Sequence, residues 1–385
     1  MISILTSFYI ITNNSIFFLH MLNLYSPHYS NTIPIFDVTP PLPTGHAVGL
    51  RHFHVVDKSR DDISTEKRQF MVSAFYPAKP DETAPRARLI DIFAPQCTEA
   101  MELLMRDSRL TFNEKNAAFA RIESMTLRAQ RDLESGTTAP CPVLIYYPGG
   151  ASHRLSNAAL CEYFANAGYI VFALDAPRDA PLVAFPNGKL IPLLPDNEED
   201  YIWPRVTDVH FLLDKIEETD TIGKFIGTPD LSRVGMFGHS RGGYLSNICA
   251  VEDSRIRAAA NMDGFLWGLW TQGTGLCEYS AGFQSRARVL KTPILRLRGD
   301  QGDSETARCG FEEERKDFGG DFIFITLDDY EHANFSTTPW LNGVAKNFSE
   351  NTAEEPSHER AELLAMILTD FFDTYLLKRQ PICLY

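Results

Sequence analysis

The sequence lacks the features that mark several classes of protein. It carries seven cysteines among 385 residues, and no two of them form a C-x-x-C pair. Scattered cysteines in odd number predict neither a disulfide framework nor a zinc site, so we expect most of them to be small buried side chains. Basic residues are few, since 36 Lys and Arg stand against 50 Asp and Glu, for a formal net charge of -14. A nucleic-acid partner, which needs clustered cations, is therefore not expected.

A long uninterrupted apolar run is also missing. Apolar residues fill much of 2–24, but the polar residues 13–15 divide them into two runs, each shorter than the roughly 18 residues of a spanning helix. No Lys or Arg precedes Arg51 and no A-x-A cleavage site is present, unlike an ordinary signal peptide. Two interpretations stay open: a signal or membrane-associating segment, and an unstructured start with Met21 as another initiator. A cytoplasmic location is slightly favoured over a secreted or membrane-associated one.

Composition outlines the organisation of the chain. Residues 1–40 combine the apolar extension with a Pro-rich linker, and we predict one domain over 41–385. A hydrophobic content of 44% is enough for a sizeable core. Residues 82–140 are polar and prone to form helices between two predicted strands, which predicts a helical insertion. Its role is open between a lid over the site and a peripheral excursion.

Strand-like and helix-like segments alternate from residue 141 onward, as in a parallel α/β sheet. Short apolar runs predict strands, and apolar stripes at helical spacing predict helices that face a core. The predicted strands are 52–56, 70–76, 143–147, 169–174, 234–237, 256–260, 293–297 and 322–327, the first two forming a hairpin at the sheet edge. The predicted helices are 99–105, 114–133, 155–167, 206–216, 243–250 and 359–377.

One stretch carries a nucleophile motif. The run Gly238-His-Ser-Arg-Gly242 fits the pattern G-x-S-x-G and lies between a predicted strand and a predicted helix. A sharp strand-to-helix turn strains the backbone at Ser240, and glycines two residues to either side let the neighbouring elements pack closely. This context predicts Ser240 as the nucleophile of an α/β-hydrolase fold, in which helices flank a mostly parallel central sheet.

A nucleophilic serine needs a base, and the base needs an acid that fixes its tautomer. Because this fold orders them as Ser, acid and His along the chain, only His332 and His358 qualify as the base. His332 follows the last predicted strand, whereas His358 falls near the start of a helix, so we predict His332. For the acid the residues leave two locations open: Asp263, after the strand that follows the elbow helix, and Asp300 or Asp303, after the next strand.

The remaining site residues are predicted from their positions near these groups. Two backbone N–H groups should form the oxyanion hole, one from Arg241 after the nucleophile and one from Gly150 in the loop after the first central strand. Phe265, Trp267 and Trp270 follow the predicted acid closely. They are candidates for an acyl pocket, with plain core packing as the alternative for at least one of them.

Several motifs occur together across about residues 45–375. They are Phe75-Tyr-Pro-Ala78, Tyr147-Pro-Gly-Gly150 with Arg154 beyond it, Gly168-Tyr-Ile-Val171, Asp208 to Asp214, Val234-Gly-Met-Phe-Gly-His-Ser-Arg-Gly-Gly243, Asn261-Met-Asp-Gly264 and His332-Ala-Asn-Phe335. In this order they resemble the platelet-activating-factor acetylhydrolase family of α/β-hydrolases. The chain departs from that family at Arg241, where an aromatic residue is usual. We interpret this arginine either as a mark of the substrate's character or as a side chain that points to solvent.

The resemblance carries implications that the residues alone do not. It implies Asp263 as the acid in preference to Asp300 or Asp303, and it implies neither a metal nor an organic cofactor. The ordered Ser, acid and His, each after a strand, predict a serine hydrolase that cleaves the carboxylic ester of a small molecule or a lipid, with a short or medium acyl group, through an acyl-enzyme intermediate. The alternatives are a secondary-metabolite hydrolase, a thioesterase, or a hydrolase fold retired to a non-hydrolytic or binding role. Neither the substrate's identity nor the oligomeric state is predicted.

Overall fold

The structure is a computed structural model. It describes residues 36–37, 39–43, 45–62, 66–106, 111–175, 177–193, 202–218, 220–264, 289, 291–299, 315–316, 318–337, 340 and 358–382. The predicted apolar extension, up to residue 35, lies outside these ranges. No helix within them is both long enough and apolar enough to cross a bilayer.

The strands and helices follow one another in the alternation that the sequence predicts from residue 141 onward. In chain order the strands are β1 (Phe36–Asp37), β2 (Ala47–Asp61), β3 (Lys67–Ala78), β4 (Arg86–Arg88), β5 (Met125–Arg131), β6 (Cys141–Tyr147), β7 (Ile170–Leu174), β8 (Leu182–Ala184), β9 (Leu190–Pro192), β10 (Pro229–His239), β11 (Ile256–Met262), β12 (Ile294–Gly299) and β13 (Phe322–Leu327). The α-helices are α1 (Cys97–Leu104), α2 (Phe112–Ser124), α3 (Ala158–Asn166), α4 (Trp203–Glu218), α5 (Asp220–Ile226), α6 (Arg241–Glu252) and α7 (Glu359–Leu377). Short 3-10 helices cover Leu89–Phe93 and His332–Phe335.

Eleven strands of the described chain form one sheet in the order β1-β5-β2-β3-β7-β6-β10-β11-β12-β13, with β4 paired to β5. The six strands from β7 to β13 in this order are all parallel to one another. Strand β3 runs antiparallel to both β7 and β2. The carboxyl ends of the parallel strands therefore meet at one edge of the sheet, which is where such folds bind ligands.

Helices cover both faces of the sheet because its central strands are apolar on both sides. Along β6, Leu144 and Tyr146 belong to a core that α3 and α7 share, whereas Val143, Ile145 and Tyr147 belong to the opposite core, under α4 and α6. The apolar stripe predicted for α4 is buried in this second core, and its members are Val206, Val209, Leu212, Leu213 and Ile216. A mostly parallel sheet between two helical layers is the predicted architecture, and it is confirmed.

The region from residue 82 to residue 140 is less helical than predicted. The helix expected over 114–133 ends at Ser124, and the chain continues as β5, which pairs with β2, β4 and β1. The physical reason is that buried side chains recur with a period of two along this strand, where Met125, Leu127 and Ala129 are fully buried. A lid role for the helices stays a prediction.

The hairpin of β2 and β3 is not at the sheet edge. The sequence predicts it there, and this prediction is wrong because β5 and β1 lie beyond the hairpin in the strand order.

Part of the predicted Pro-rich linker joins the sheet. Strand β1 pairs with the start of β5. Thr39 is fully buried, and its hydroxyl oxygen accepts a hydrogen bond from the Arg128 backbone N–H at 3.2 Å. The chain is therefore anchored to the domain before residue 41, where the sequence predicted the domain to begin.

The buried guanidinium of Arg154 connects three elements of the domain. The Arg154 Nε donates to the Ser73 hydroxyl of β3 at 2.8 Å, and its Nη2 donates to the Ile92 carbonyl of the first 3-10 helix at 3.2 Å. Its Nη1 pairs with Asp175, which follows β7 and also accepts from the Arg154 backbone N–H at 2.9 Å. Both side chains of the pair are 2% exposed or less. Burial raises the pKa of Asp175 even though Arg154 acts in the opposite direction.

Replacing Arg154 with methionine should destabilise the protein strongly. The variant leaves the Asp175 carboxylate buried without its counter-charge, which costs about 3–5 kcal/mol of unfolding free energy. The matched control is Lys79→Met, because Lys79 pairs with Glu134 and both side chains are more than 60% exposed. That variant should leave the unfolding free energy nearly unchanged, because an exposed ion pair contributes little. Urea denaturation measures both values, and equal losses in the two variants would contradict this account of Arg154.

Candidate active site

The predicted nucleophile lies at the end of the central strand of the parallel sheet. Strand β10 pairs with β6 on one side and β11 on the other, and residues 235–238 are in continuous register with both neighbours. Ser240 follows this strand with φ 56° and ψ -121°, and α6 begins at the next residue. A positive φ in a serine is uncommon and strained. It is the backbone geometry that the nucleophile-elbow motif predicts.

The elbow depends on the absence of two side chains. A Cβ at Gly242 would lie 2.0 Å from the carbonyl oxygen of Tyr147, at the end of β6. A Cβ at Gly238 would lie 2.3 Å from the Gly242 backbone. Both separations are far below van der Waals contact, so glycine is required at these positions for strand and helix to approach. The predicted reason for the G-x-S-x-G spacing is thus present in the structure.

The strained turn is held by backbone hydrogen bonds. The Ser240 N–H donates to the Met262 carbonyl of β11 at 2.8 Å, and the Ser240 carbonyl accepts from the N–H groups of Gly243 and Tyr244 in the first turn of α6. The N-terminus of α6 therefore lies directly beside Ser240. The free N–H groups and the dipole of the helix favour negative charge at this point.

The predicted acid and base are in contact. Asp263 follows β11 with φ 51°, and its N–H donates to the Leu297 carbonyl of β12 at 2.9 Å. The Nδ1 of His332 lies 2.5 Å from the Asp263 Oδ2, and the Gly299 N–H donates to Oδ1 at 3.3 Å. Burial alone would raise the pKa of Asp263, but the hydrogen bond and charge of His332 outweigh it and hold that pKa below its usual value. The ionised carboxylate can only accept, so Nδ1 carries the proton and Nε2 is free to act as a base.

His332 begins the 3-10 helix after β13, and its side chain is 44% exposed. The segment is attached to the rest of the domain: the Asn157 side chain donates to the Phe335 carbonyl at 2.9 Å, and the Thr337 N–H donates to the Ser156 carbonyl at 3.1 Å. The predicted base is therefore held firmly, and its ring remains partly exposed to solvent. In the described chain, Ser240 Oγ and His332 form no hydrogen bond, a contact that often tightens only when substrate binds.

A second histidine, which the sequence analysis did not single out, lies beside the base. The Nε2 of His239 lies 2.8 Å from the His332 carbonyl oxygen, and the two rings are 4.5 Å apart. Because a carbonyl only accepts, Nε2 of His239 must carry a proton and donate it. Burial of the ring, with a smaller contribution from His332, lowers the pKa of His239 to about 3. Its position inside the elbow motif, before Ser240, was the signal available in the sequence.

The two loops predicted to form the oxyanion hole are adjacent. A Cβ at Gly149 would lie 3.1 Å from the Ser240 Cβ, and a Cβ at Gly150 would lie 2.9 Å from the Arg241 guanidinium carbon. The Arg241 side chain is 15% exposed and its Nη1 lies 2.5 Å from Asp179 Oδ1. The Arg241 side chain is therefore ion-paired with Asp179 and lies against Gly150. The expectation that this side chain points to solvent is wrong.

The other candidates fall outside this arrangement or outside the described residues. Asp300 and Asp303 lie outside the described residues, as do Phe265, Trp267 and Trp270, so the acyl pocket stays a prediction. His358 caps the start of α7, where its Nε2 is 3.6 Å from a Glu362 oxygen. Within the described ranges, no cluster of three or more His, Cys, Asp or Glu side chains is arranged to hold a metal ion.

Comparison with known proteins supports this architecture. No family model matches the sequence. Over 91% of its length the chain superposes on 96% of a ferulic acid esterase from Streptomyces cinnamoneus, with a TM-score of 0.70 and 21% identity. With the elbow and the parallel sheet, this similarity shows that the protein has the α/β-hydrolase fold.

Sequence similarity to a curated protein adds to this comparison of folds. Over 241 residues the chain is 29% identical to a probable 1-alkyl-2-acetylglycerophosphocholine esterase from Arthroderma benhamiae. The match covers 59% of each protein, so this chain spans less than two thirds of that relative. The name describes a platelet-activating-factor acetylhydrolase, and the resemblance to that family found in the motifs is confirmed.

Protonation of His239 predicts a pH dependence of stability. Its pKa is about 3 in the folded protein and about 6.5 in the unfolded chain, so between these values only the unfolded chain binds the proton. The free energy of unfolding should therefore fall as the pH is lowered, by about 1.4 kcal/mol per pH unit for this one group. His239→Gln keeps an N–H donor and removes the titration. Urea denaturation between about pH 6 and pH 4 should give a shallower slope for this variant by that amount, and identical slopes would refute the assignment.

Proposed function

We propose that this protein is a serine hydrolase that cleaves carboxylic esters through an acyl-enzyme intermediate. Ser240 is the nucleophile, His332 the general base and acid, and Asp263 the residue that orients His332. The observation that carries the proposal is the 2.5 Å hydrogen bond between Asp263 and His332, at the sheet edge where the strained Ser240 follows β10. An acid, a base and an elbow serine at one edge are the parts that acyl transfer needs.

The first half of the reaction forms the acyl-enzyme. The Nε2 of His332 removes the proton of the Ser240 hydroxyl, whose oxygen attacks the ester carbonyl carbon to give a tetrahedral oxyanion. Asp263 stabilises the imidazolium that forms, and its bond to Nδ1 keeps the ring in the productive tautomer. The Nε2–H of His239 donates to the main-chain carbonyl of His332 and helps to hold the base in place. Collapse of the intermediate then expels the alcohol, which takes its proton from His332.

The oxyanion is stabilised by backbone donors. The N–H groups of Arg241 and Gly150 supply the two hydrogen bonds, and the N-terminus of α6 adds its dipole. Each such donor contributes about 10²–10³ in rate. In the second half of the reaction, water attacks the acyl-enzyme with His332 again as base, and the same donors stabilise the second oxyanion.

The names of the similar proteins suggest which ester substrates to test first. The name of the Arthroderma benhamiae relative specifies the ester of an acetyl group, and the Streptomyces cinnamoneus structure is named a ferulic acid esterase. We propose esters with a short acyl group as the first substrates to test, with feruloyl esters as the second arm. The alcohol part of the substrate is left to the measurement.

Activity toward a series of p-nitrophenyl esters tests the proposal. The wild-type protein should hydrolyse the acetate, and Ser240→Ala and His332→Gln should abolish the activity together with labelling by a fluorophosphonate probe. Asp263→Asn should lower kcat by up to about 10⁴, because the variant favours the wrong tautomer of His332. The matched control is Asp61→Asn, which removes an exposed carboxylate paired with Lys67 and should leave kcat unchanged.

Two outcomes would contradict parts of the proposal. If Asp263→Asn retained wild-type turnover while Asp300→Asn or Asp303→Asn lost it, the acid would be assigned to the wrong strand. If the folded wild-type protein hydrolysed no ester and its Ser240 were not labelled, the alternative of a hydrolase fold retired to binding would replace the proposal.

A further inference from the structure

A buried carboxylate behind the oxyanion loop has no role in the mechanism above. Asp179 lies in the loop after β7 and is 1% exposed. Its Oδ1 lies 2.5 Å from the Arg241 Nη1 and accepts a hydrogen bond from the Ala151 backbone N–H at 3.3 Å. Its Oδ2 lies 3.0 Å from the Nη2 of Arg205, which belongs to α4. A carboxylate placed among two guanidinium groups and a backbone N–H fixes their positions.

Two of the partners of Asp179 belong to the two segments that carry the oxyanion donors. Ala151 directly follows Gly150, and Arg241 directly follows Ser240. The same oxygen atom of Asp179 contacts both segments. Arg205 anchors the carboxylate from the opposite side, to a helix packed on the sheet. One carboxylate from a third loop therefore bridges the two segments that carry the Gly150 and Arg241 N–H groups.

The oxyanion loop needs such support because its backbone is strained. Ala151 has φ 53°, a left-handed conformation that is strained for a residue with a Cβ. The Arg241 guanidinium also lies against Gly150, closely enough that a Cβ there would be 2.9 Å from its carbon. Oxyanion donors must lie within about 2.7–3.1 Å of the developing charge. A displacement of about 1 Å can cost about 10² in rate.

We propose that Asp179 is a positioning residue that sets the spacing of the two oxyanion donors. This inference rests on the proposed esterase function. Asp179 touches neither the substrate nor the reacting atoms; it acts through the Ala151 N–H and the Arg241 side chain. The aromatic residue usual at the position of Arg241 could not pair with Asp179, so in this chain the arginine has a structural reason.

Kinetics of Asp179→Asn and Asp179→Ala test the proposal. The amide keeps an acceptor for Ala151 but loses the charge that holds both arginines, whereas alanine loses every contact. We expect kcat for p-nitrophenyl acetate to fall about tenfold in the first variant and about a hundredfold in the second. KM should change less than about twofold, because the donors act on the transition state. The affinity for a trifluoromethyl ketone, which forms a tetrahedral adduct, should weaken in step with kcat.

The control and a second readout keep the proposal falsifiable. Asp57→Asn is the matched control, because Asp57 is likewise buried and is ion-paired to Arg60 on its own strand. The kcat of this variant should equal that of wild type. Rates are referred to the active fraction, titrated with the fluorophosphonate. If kcat and the inhibitor affinity of Asp179→Asn matched those of wild type, the proposal would be overturned, and the same holds if KM alone rose.

Amide hydrogen exchange separates this proposal from the proposed function. Peptides covering residues 148–155 should exchange faster in Asp179→Asn than in wild type, while peptides covering β6 should not change. This readout needs no turnover. A wild type without esterase activity would overturn the proposed function, whereas unchanged exchange at residues 148–155 would overturn the positioning role of Asp179.

Discussion

The strained backbone of Ser240 is the constraint on which the site depends. Its φ of 56° is sparsely populated for a serine and costs about 1–3 kcal/mol. The turn persists because the Ser240 N–H bonds to β11 and because Gly242 lets α6 approach the end of β6, where any Cβ would collide with the Tyr147 carbonyl. The packing of the central sheet thus stabilises a conformation that exposes one hydroxyl at its edge.

Two groups of contacts lie on either side of this serine. On one side His332 is fixed at its ring by Asp263 and at its main chain by the neutral His239. On the other side Asp179 connects the loop after β6 with the first residue of α6. Each contact joins segments distant in the chain, such as Asp263 and His332, which are 69 positions apart. The parallel sheet makes these contacts local, since it brings the strand ends to one edge.

The sequence predicted what local patterns specify. The motif around Ser240 requires glycine at fixed positions, and the stripe on α4 follows the helical period, so the elbow and the core-facing helix were predictable. Strand β5 was not, because its period of two was hidden at the end of a helix-prone segment. The residues left the acid open between Asp263 and its two competitors, and only the family resemblance favoured Asp263.

Asp179 could not be predicted at all, because nothing local marks it in a Pro-rich loop and its partners come from three other elements. His239 was visible in the motif, but its role depends on the proximity of a segment more than 90 residues away.

The central claim is that Ser240 accepts the acyl group. Intact mass spectrometry of the protein, after a rapidly quenched reaction with p-nitrophenyl acetate, tests this claim most directly. We expect a single added acetyl group, mapped to the peptide that contains Ser240 and absent from Ser240→Ala. Acetylation at another residue, or turnover that persists in Ser240→Ala, would contradict the account.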